Sequence, residues 1–168
     1  INHGKTWTLG DWVLVADSRL PVAALVDGKG QQCGVLVGYA WRDGKMVVGQ
    51  YPIADASLLS PDAVGTARSF LDLAGRFFVF LHLPGREVVF ADPAGQMSVV
   101  YSTEYAGFAS SRQLLNPKGL VDEDLVRQYG IPAKDNFFPF GLTGTFSEAR
   151  LLPNHVVDFV SMSNDRFW

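Results

Sequence analysis

Residues Gly75–Ser111, GRFFVFLHLPGREVVFADPAGQMSVVYSTEYAGFASS, decide the fold class. Arg76–Leu83 is apolar on both faces, as in a central strand covered on each side. Pro84-Gly85 turns the chain into Glu87–Ala91, and Asp92-Pro93-Ala94-Gly95 is a second tight turn, because Pro presets φ and Gly adopts positive φ freely. The stretch therefore predicts four short strands joined by tight turns.

Toward the N-terminus, Thr6–Leu9, Trp12–Ala16, Val22–Val26, Gly34–Tyr39 and Met46–Gln50 read as further strands, rich in Val, Leu, Trp and Tyr. Asp27-Gly28-Lys29-Gly30 and Asp43-Gly44 punctuate them, and the second is a hairpin signal. A helix is predicted from Ser60 as N-cap, through Pro61 and Asp62, with Val64, Ala67, Leu71 and Ala74 at helical spacing and Gly75 closing it. A second helix starts near Asp122, presents Leu125, Val126 and Tyr129, and ends at Gly130-Ile131-Pro132. Asn136–Thr145 reads as an aromatic loop, and Ala149–Val160 as a strand pair bent at Pro153-Asn154. Many strands with two helices predict an α+β layered domain spanning residues 1–168.

With 48% hydrophobic and 12% aromatic residues in 168, the chain is long and apolar enough to bury a core. The net charge is −3, and no Lys/Arg run interleaves with aromatics, which argues against a nucleic-acid surface. The longest apolar run, Phe77–Leu81, is far too short to span a membrane, and nothing near Ile1 reads as a signal peptide. A single cysteine, Cys33, permits no internal disulfide and points to a cytoplasmic setting.

His3, His82 and His155 are scattered without metal-ligand spacing, so no metal is expected. No phosphate-binding glycine loop or nucleophile elbow is present. Glu87 and Asp92 are expected as a solvated pair across a turn, and Trp7, Trp12, Trp41 and Trp168 as core or interface anchors.

Several segments fall in the order seen in class II glutamine amidotransferase domains of the asparagine synthetase family. Leu73-Ala74-Gly75-Arg76-Phe77 resembles the family's L-x-G-x-F. Asp92-Pro93-Ala94-Gly95 with Val100-Tyr101 is similar to RDPLG…LYY, with Ala91 replacing the Arg. Phe108-Ala109-Ser110-Ser111 resembles FASE, with Ser111 replacing the Glu. Leu152-Pro153-Asn154-His155 resembles LPPGH, and Asp165-Arg166-Phe167-Trp168 the RYW that leads into a second domain. The resemblance covers roughly Val35 to Trp168. It implies a four-layer αββα sandwich of the Ntn-hydrolase type, abbreviated at its N-terminal side, in which Asp92, Gly95, Pro153 and His155 are structural. It also implies a C-terminal ATP-dependent synthetase domain in cis as partner, with ATP and Mg belonging there and no cofactor here, and oligomers possible.

By the family's route, glutamine hydrolysis needs an N-terminal cysteine activated by its own amine, and an oxyanion hole built on an Asn-Gly-Glu turn. This chain begins with Ile1, and the usual nucleophile strand is absent. The matching turn is Val37-Gly38-Tyr39: the Gly38 amide remains, but Val37 donates nothing from its side chain and Tyr39 offers no carboxylate. Asp55 lies where the glutamine-binding acid falls, and Arg19 is a weak match to the carboxylate clamp. The resemblance thus implies a non-hydrolytic structural platform, with no catalytic residue. Two alternatives stand beside it. Cys33-Gly34-Val35-Leu36-Val37-Gly38 resembles the CGIxG start of an active domain, so removal of residues 1–32 would make Cys33 the nucleophile of an amide hydrolase. Otherwise the chain is a freestanding module whose Phe137, Phe138 and Phe140 grip a partner.

Overall fold

A computed structural model describes residues 4–53, 61–118, 121–131, 138 and 141–168. In chain order the elements are β1 (Gly4–Leu9), β2 (Trp12–Asp17), β3 (Val22–Val26), β4 (Gln32–Arg42), β5 (Lys45–Met46), β6 (Gly49–Pro52), α1 (Ala63–Arg68), β7 (Ala74–Leu83), β8 (Arg86–Ala91), β9 (Val100–Ser102), β10 (Phe108–Ala109), α2 (Arg112–Leu115), α3 (Glu123–Gln128), β11 (Glu148–Arg150), β12 (His155–Asp158) and β13 (Ser163–Arg166). The chain is mixed α+β, mostly sheet with a few short helices, and the quoted stretch yields the four strands β7 to β10. Among the described residues no helix is long and apolar enough to cross a membrane.

An eight-stranded sheet, ordered β13-β12-β8-β7-β4-β3-β6 with β5 beside β4, is the backbone of the fold. All its pairings are antiparallel except β3 with β6. The β4–β5 hairpin turns on Asp43 (φ 50°) and Gly44 (φ 74°), the paired positive φ of a type I′ turn. β7 is central, and its alternation sends Phe77, Val79, Leu81 and Leu83 to one face and Phe78 and Phe80 to the other.

The first face is covered by α1, with Phe70, Leu73, Phe90 and Phe167 filling the gap. Asp62 caps α1 by accepting the Gly65 amide through its side chain. The second face carries two separate pieces. The β1–β2 hairpin lays Leu9, Leu14, Trp7 and Trp12 on Val35, Val37 and Phe80. A three-stranded sheet, β10-β9-β11, packs Tyr101, Phe108 and Ala149 on Val89, Ala91, Val157 and Phe159. Where the two pieces meet, Trp12, Phe78, Phe80, Phe108 and Phe159 form a ring cluster with centroids 4.8–5.9 Å apart.

Four local expectations are corrected. The first helix is only Ala63–Arg68, capped by Asp62; Leu71 is 40% exposed, and Ala74 already pairs with Trp41 in the sheet. Ser60 lies outside the described residues. The Met46–Gln50 run divides into β5, which pairs with β4, and β6, which pairs with β3. The tail strands are not a pair: β11 joins β9 in the small sheet, and β12 joins β8 and β13 in the large one, because the chain passes between layers at Leu151–Asn154. Ser163–Arg166, where no strand was expected, is the edge strand β13.

Candidate functional site

Residues 37–39, Phe77 and Asp92, which belong to three segments of the resemblance, neighbour one another across β4, β7 and the end of β8. Gly38 on β4 pairs with Phe77 on β7, and the Phe77 carbonyl accepts the Asp92 amide at 2.9 Å. Two inter-strand spacings place residues 37–39 about 10 Å from the Asp92 knuckle.

The knuckle is built by the Asp92 carboxylate, which is 1% exposed. It accepts the backbone amides of Ala94 (3.1 Å), Gln96 (3.1 and 3.2 Å) and Met97 (3.3 Å), while the Asp92 carbonyl accepts the Gly95 amide at 2.8 Å. Gly95 has φ 62°, and a Cβ there would stand 2.8 Å from Cγ of Pro153. Gly95 of DPAG and Pro153 of LPNH, 58 positions apart, therefore pack directly on one another. On the far side of Pro153, Asn154 takes φ 61° and accepts the Phe167 amide, and His155 Nδ1 lies 2.9 Å from the Pro153 carbonyl. Asp92, Gly95, Pro153 and His155 are brought together as a corner that holds backbone. This corrects the expected solvated Glu87–Asp92 pair: Asp92 is buried under its own turn, and Glu87 Oε1 lies 3.0 Å from His82 Nδ1.

Residues 37–39 keep none of the expected chemistry. Val37 is 2% exposed and packs under the β1–β2 hairpin. The Gly38 amide donates to the Pro21 carbonyl at 2.9 Å, extending the β3–β4 ladder, so the one donor expected to survive is already satisfied. A Cβ on Gly38, whose φ is 114°, would lie 2.4 Å from the Arg76 carbonyl, which is why the strands approach so closely here. Tyr39 points away from the α1 side, 44% exposed, and stacks on Trp41 at 6.2 Å. Trp41 (39%) and Trp168 (68%) are exposed, unlike the half-buried Trp7 and Trp12. Sequence reading missed the Tyr39–Trp41 pair as a surface, although their i, i+2 spacing on a strand is the signal that puts them on one face.

Cys33 is half-buried on β4, and its thiol donates to the Leu25 carbonyl at 3.5 Å. Burial, and after it the charge of Asp27, push this thiol up to about 11. Arg19 is spent on Asp17 at 2.8 Å on the open surface, and Asp55 lies outside the described residues. Phe138 is half-buried, while Phe137 and Phe140 lie outside the described residues. Another residue sequence reading missed is Glu148, 3% exposed on β11, whose carboxylate has no hydrogen-bond partner among the described residues.

Two open cavities, of about 260 and 360 Å³, adjoin β11 and not residues 37–39. The larger runs along Gly95–Ser98 and Pro153, the smaller past Tyr101, Thr145 and Asn164. No cluster of three or more His, Cys, Asp or Glu able to hold a metal occurs among the described residues. No family model, no curated protein and no solved structure matches the chain.

Proposed function

We propose that the chain is a degenerate, non-hydrolytic glutamine amidotransferase-like domain of an asparagine-synthetase-type, ATP-dependent amide-forming enzyme, serving as a structural platform for a synthetase domain in cis. In this reading the layers are an Ntn-type αββα sandwich: α1, then the large sheet, then the small sheet with the β1–β2 hairpin, then α2 against β9 and β10. ATP and Mg belong to the synthetase domain.

The observation that carries the reading is the matching turn, where the Gly38 amide is held by Pro21 between a buried Val37 and an aromatic Tyr39. Such a turn offers no donor to a developing oxyanion, whereas the Asp92–Pro153 corner that shapes the scaffold is intact. The packing of Asp92, Gly95 and Pro153 on one another, beside a Val37-Gly38-Tyr39 turn whose glycine amide is taken, supports the reading of a kept scaffold without hydrolysis.

The amide-hydrolase alternative with Cys33 as nucleophile meets a packing obstacle. Residues 1–32 hold β1, β2 and β3; cutting them away uncovers Val35, Val37 and Phe80 and removes the strand between β4 and β6. The test pairs a glutaminase assay with intact-mass measurement. Expected are an uncut chain and no glutamate formed from glutamine, for both the wild type and Cys33→Ala. Glutamate release that needs Cys33 and accompanies loss of residues 1–32 overturns the reading. Independently, the parent sequence beyond residue 168 is expected to carry a Ser-Gly-Gly-x-Asp-Ser nucleotide loop.

A further inference from the structure

The larger of the two open cavities, about 360 Å³, gathers polar side chains that have no partner. Residues 95–98 line one part of it, and residues 150–153, Gly141 and Phe138 the rest. Two glycines fix this shape. Gly95, at φ 62°, seats against Pro153, and a Cβ on Gly141, at φ 76°, would stand 3.1 Å from the Arg150 carbonyl.

Three side chains in the cavity can donate hydrogen bonds: Arg150, Gln96 and Ser98. All three residues are exposed, and none of these side chains has a hydrogen-bond or ion-pair partner among the described residues. Arg150 is the one charged residue among the described residues that line the cavity. The neighbouring Asp92 carboxylate is 1% exposed and is taken up by the amides of Ala94, Gln96 and Met97, so it does not neutralise Arg150. Arg150 also borders the smaller cavity, where Glu148 contributes to the lining and disfavours an anion. An anion is therefore favoured on the side of Gln96 and Ser98.

The chemistry of that anion follows from the donors. A guanidinium matches a carboxylate through two parallel N–H···O bonds, and one positive charge balances one negative charge. A phosphate dianion would keep an uncompensated charge here. The other side chains in the lining, Met97, Phe138, Leu151, Leu152 and Pro153, are apolar. The volume is at the small end of the range for ligand sites, which suits a single ring or a short branched chain.

We propose that this cavity binds a small carboxylic acid with an apolar body, its carboxylate on Arg150 beside Gln96 and Ser98, and its body against Met97, Phe138 and Pro153. The proposal does not rest on the amidotransferase-like reading. An open site with a single exposed charge binds weakly, with a dissociation constant on the order of 1 mM.

The test is a titration of the isotope-labelled whole chain with phenylacetate, followed through its backbone amide NMR shifts. Saturable shifts are expected at residues 95–98, 141 and 150–152. Phenylacetamide keeps the ring without the charge, and inorganic phosphate keeps a charge without the ring; each is expected to bind at least about tenfold more weakly. Arg150→Gln removes the guanidinium, and Gln96→Glu gives Arg150 an internal carboxylate. Both variants are expected to weaken phenylacetate binding at least about tenfold while the shifts of the large sheet stay as in the wild type. No saturable shift up to about 20 mM phenylacetate overturns the proposal. So do shifts centred elsewhere, or binding indifferent to both substitutions. Phosphate or phenylacetamide bound as tightly as phenylacetate also overturns it, since the site then reads charge alone or ring alone.

Discussion

Replacing Asp92 with alanine tests whether the DPAG knuckle is a structural corner. The carboxylate is 1% exposed and accepts amides from three residues at 3.1–3.3 Å. Charge-assisted bonds of this kind contribute about 1.5–3 kcal/mol each at good geometry. These are at the long end, and Ala94 and Gln96 are exposed, so their freed amides are rehydrated; about 1 kcal/mol per amide is the working figure. Asp92→Ala is then expected to destabilise by about 3 kcal/mol, which for a domain of this size lowers Tm by roughly 6–12 °C. Asp92→Asn keeps the acceptor facing Ala94 and Gln96 and is expected to lose about half as much. Urea unfolding followed by tryptophan fluorescence, with the slope checked for constancy, reads both. A loss below about 0.5 kcal/mol for Asp92→Ala refutes the corner, because surface changes of no consequence fall in that range.

Phe80 is fully buried, with its ring 4.8 Å from Trp12, so Phe80→Ala is expected to cost about 3–5 kcal/mol and to shift the tryptophan emission; an unchanged spectrum counts against the ring cluster. Gly38→Ala places a Cβ 2.4 Å from the Arg76 carbonyl at a φ of 114°, and a loss of at least about 2 kcal/mol is expected in thermal unfolding. Cys33, pushed up to about 11 by burial, is expected to be alkylated by iodoacetamide at a rate rising about tenfold per pH unit through pH 10; a plateau near pH 9 contradicts the burial. Because the folded state holds that proton more tightly than the unfolded chain, Cys33 subtracts no stability at neutral pH and does so as pH rises from about 9 toward 11. Cys33→Ala is expected to remove that alkaline loss in a pH series of unfolding curves.

What the sequence made legible was local chemistry. Asp43-Gly44 encodes its own turn, and the doubly apolar run Arg76–Leu83 encodes a covered central strand, because both depend on neighbours within a few positions. Partnership was not legible. Ser163–Arg166 is polar on both faces and gives no period-two signal; it becomes a strand because β12 offers it an edge. The parallel pairing of β3 with β6, and the separation of β11 from β12 into different sheets, are likewise settled by what lies across a layer. At the candidate site, Val37 and Tyr39 could be judged from residue type alone. The fate of the Gly38 amide could not, since it turns on the position of Pro21 seventeen residues earlier.

The position of β12 also governs synthesis. Val88, Val89 and Phe90 of β8 are among the most deeply buried residues, and the edge of β8 opposite β7 stays open until residues 156–158 arrive. For the interval in which everything up to about residue 150 has emerged, the nascent chain displays an unpaired, uncharged, β-branched edge, the template on which chains stack into aggregates. A ribosome stalled or a chain nicked in that window leaves a product prone to precipitate, so β12 acts as the protection of that edge against aggregation.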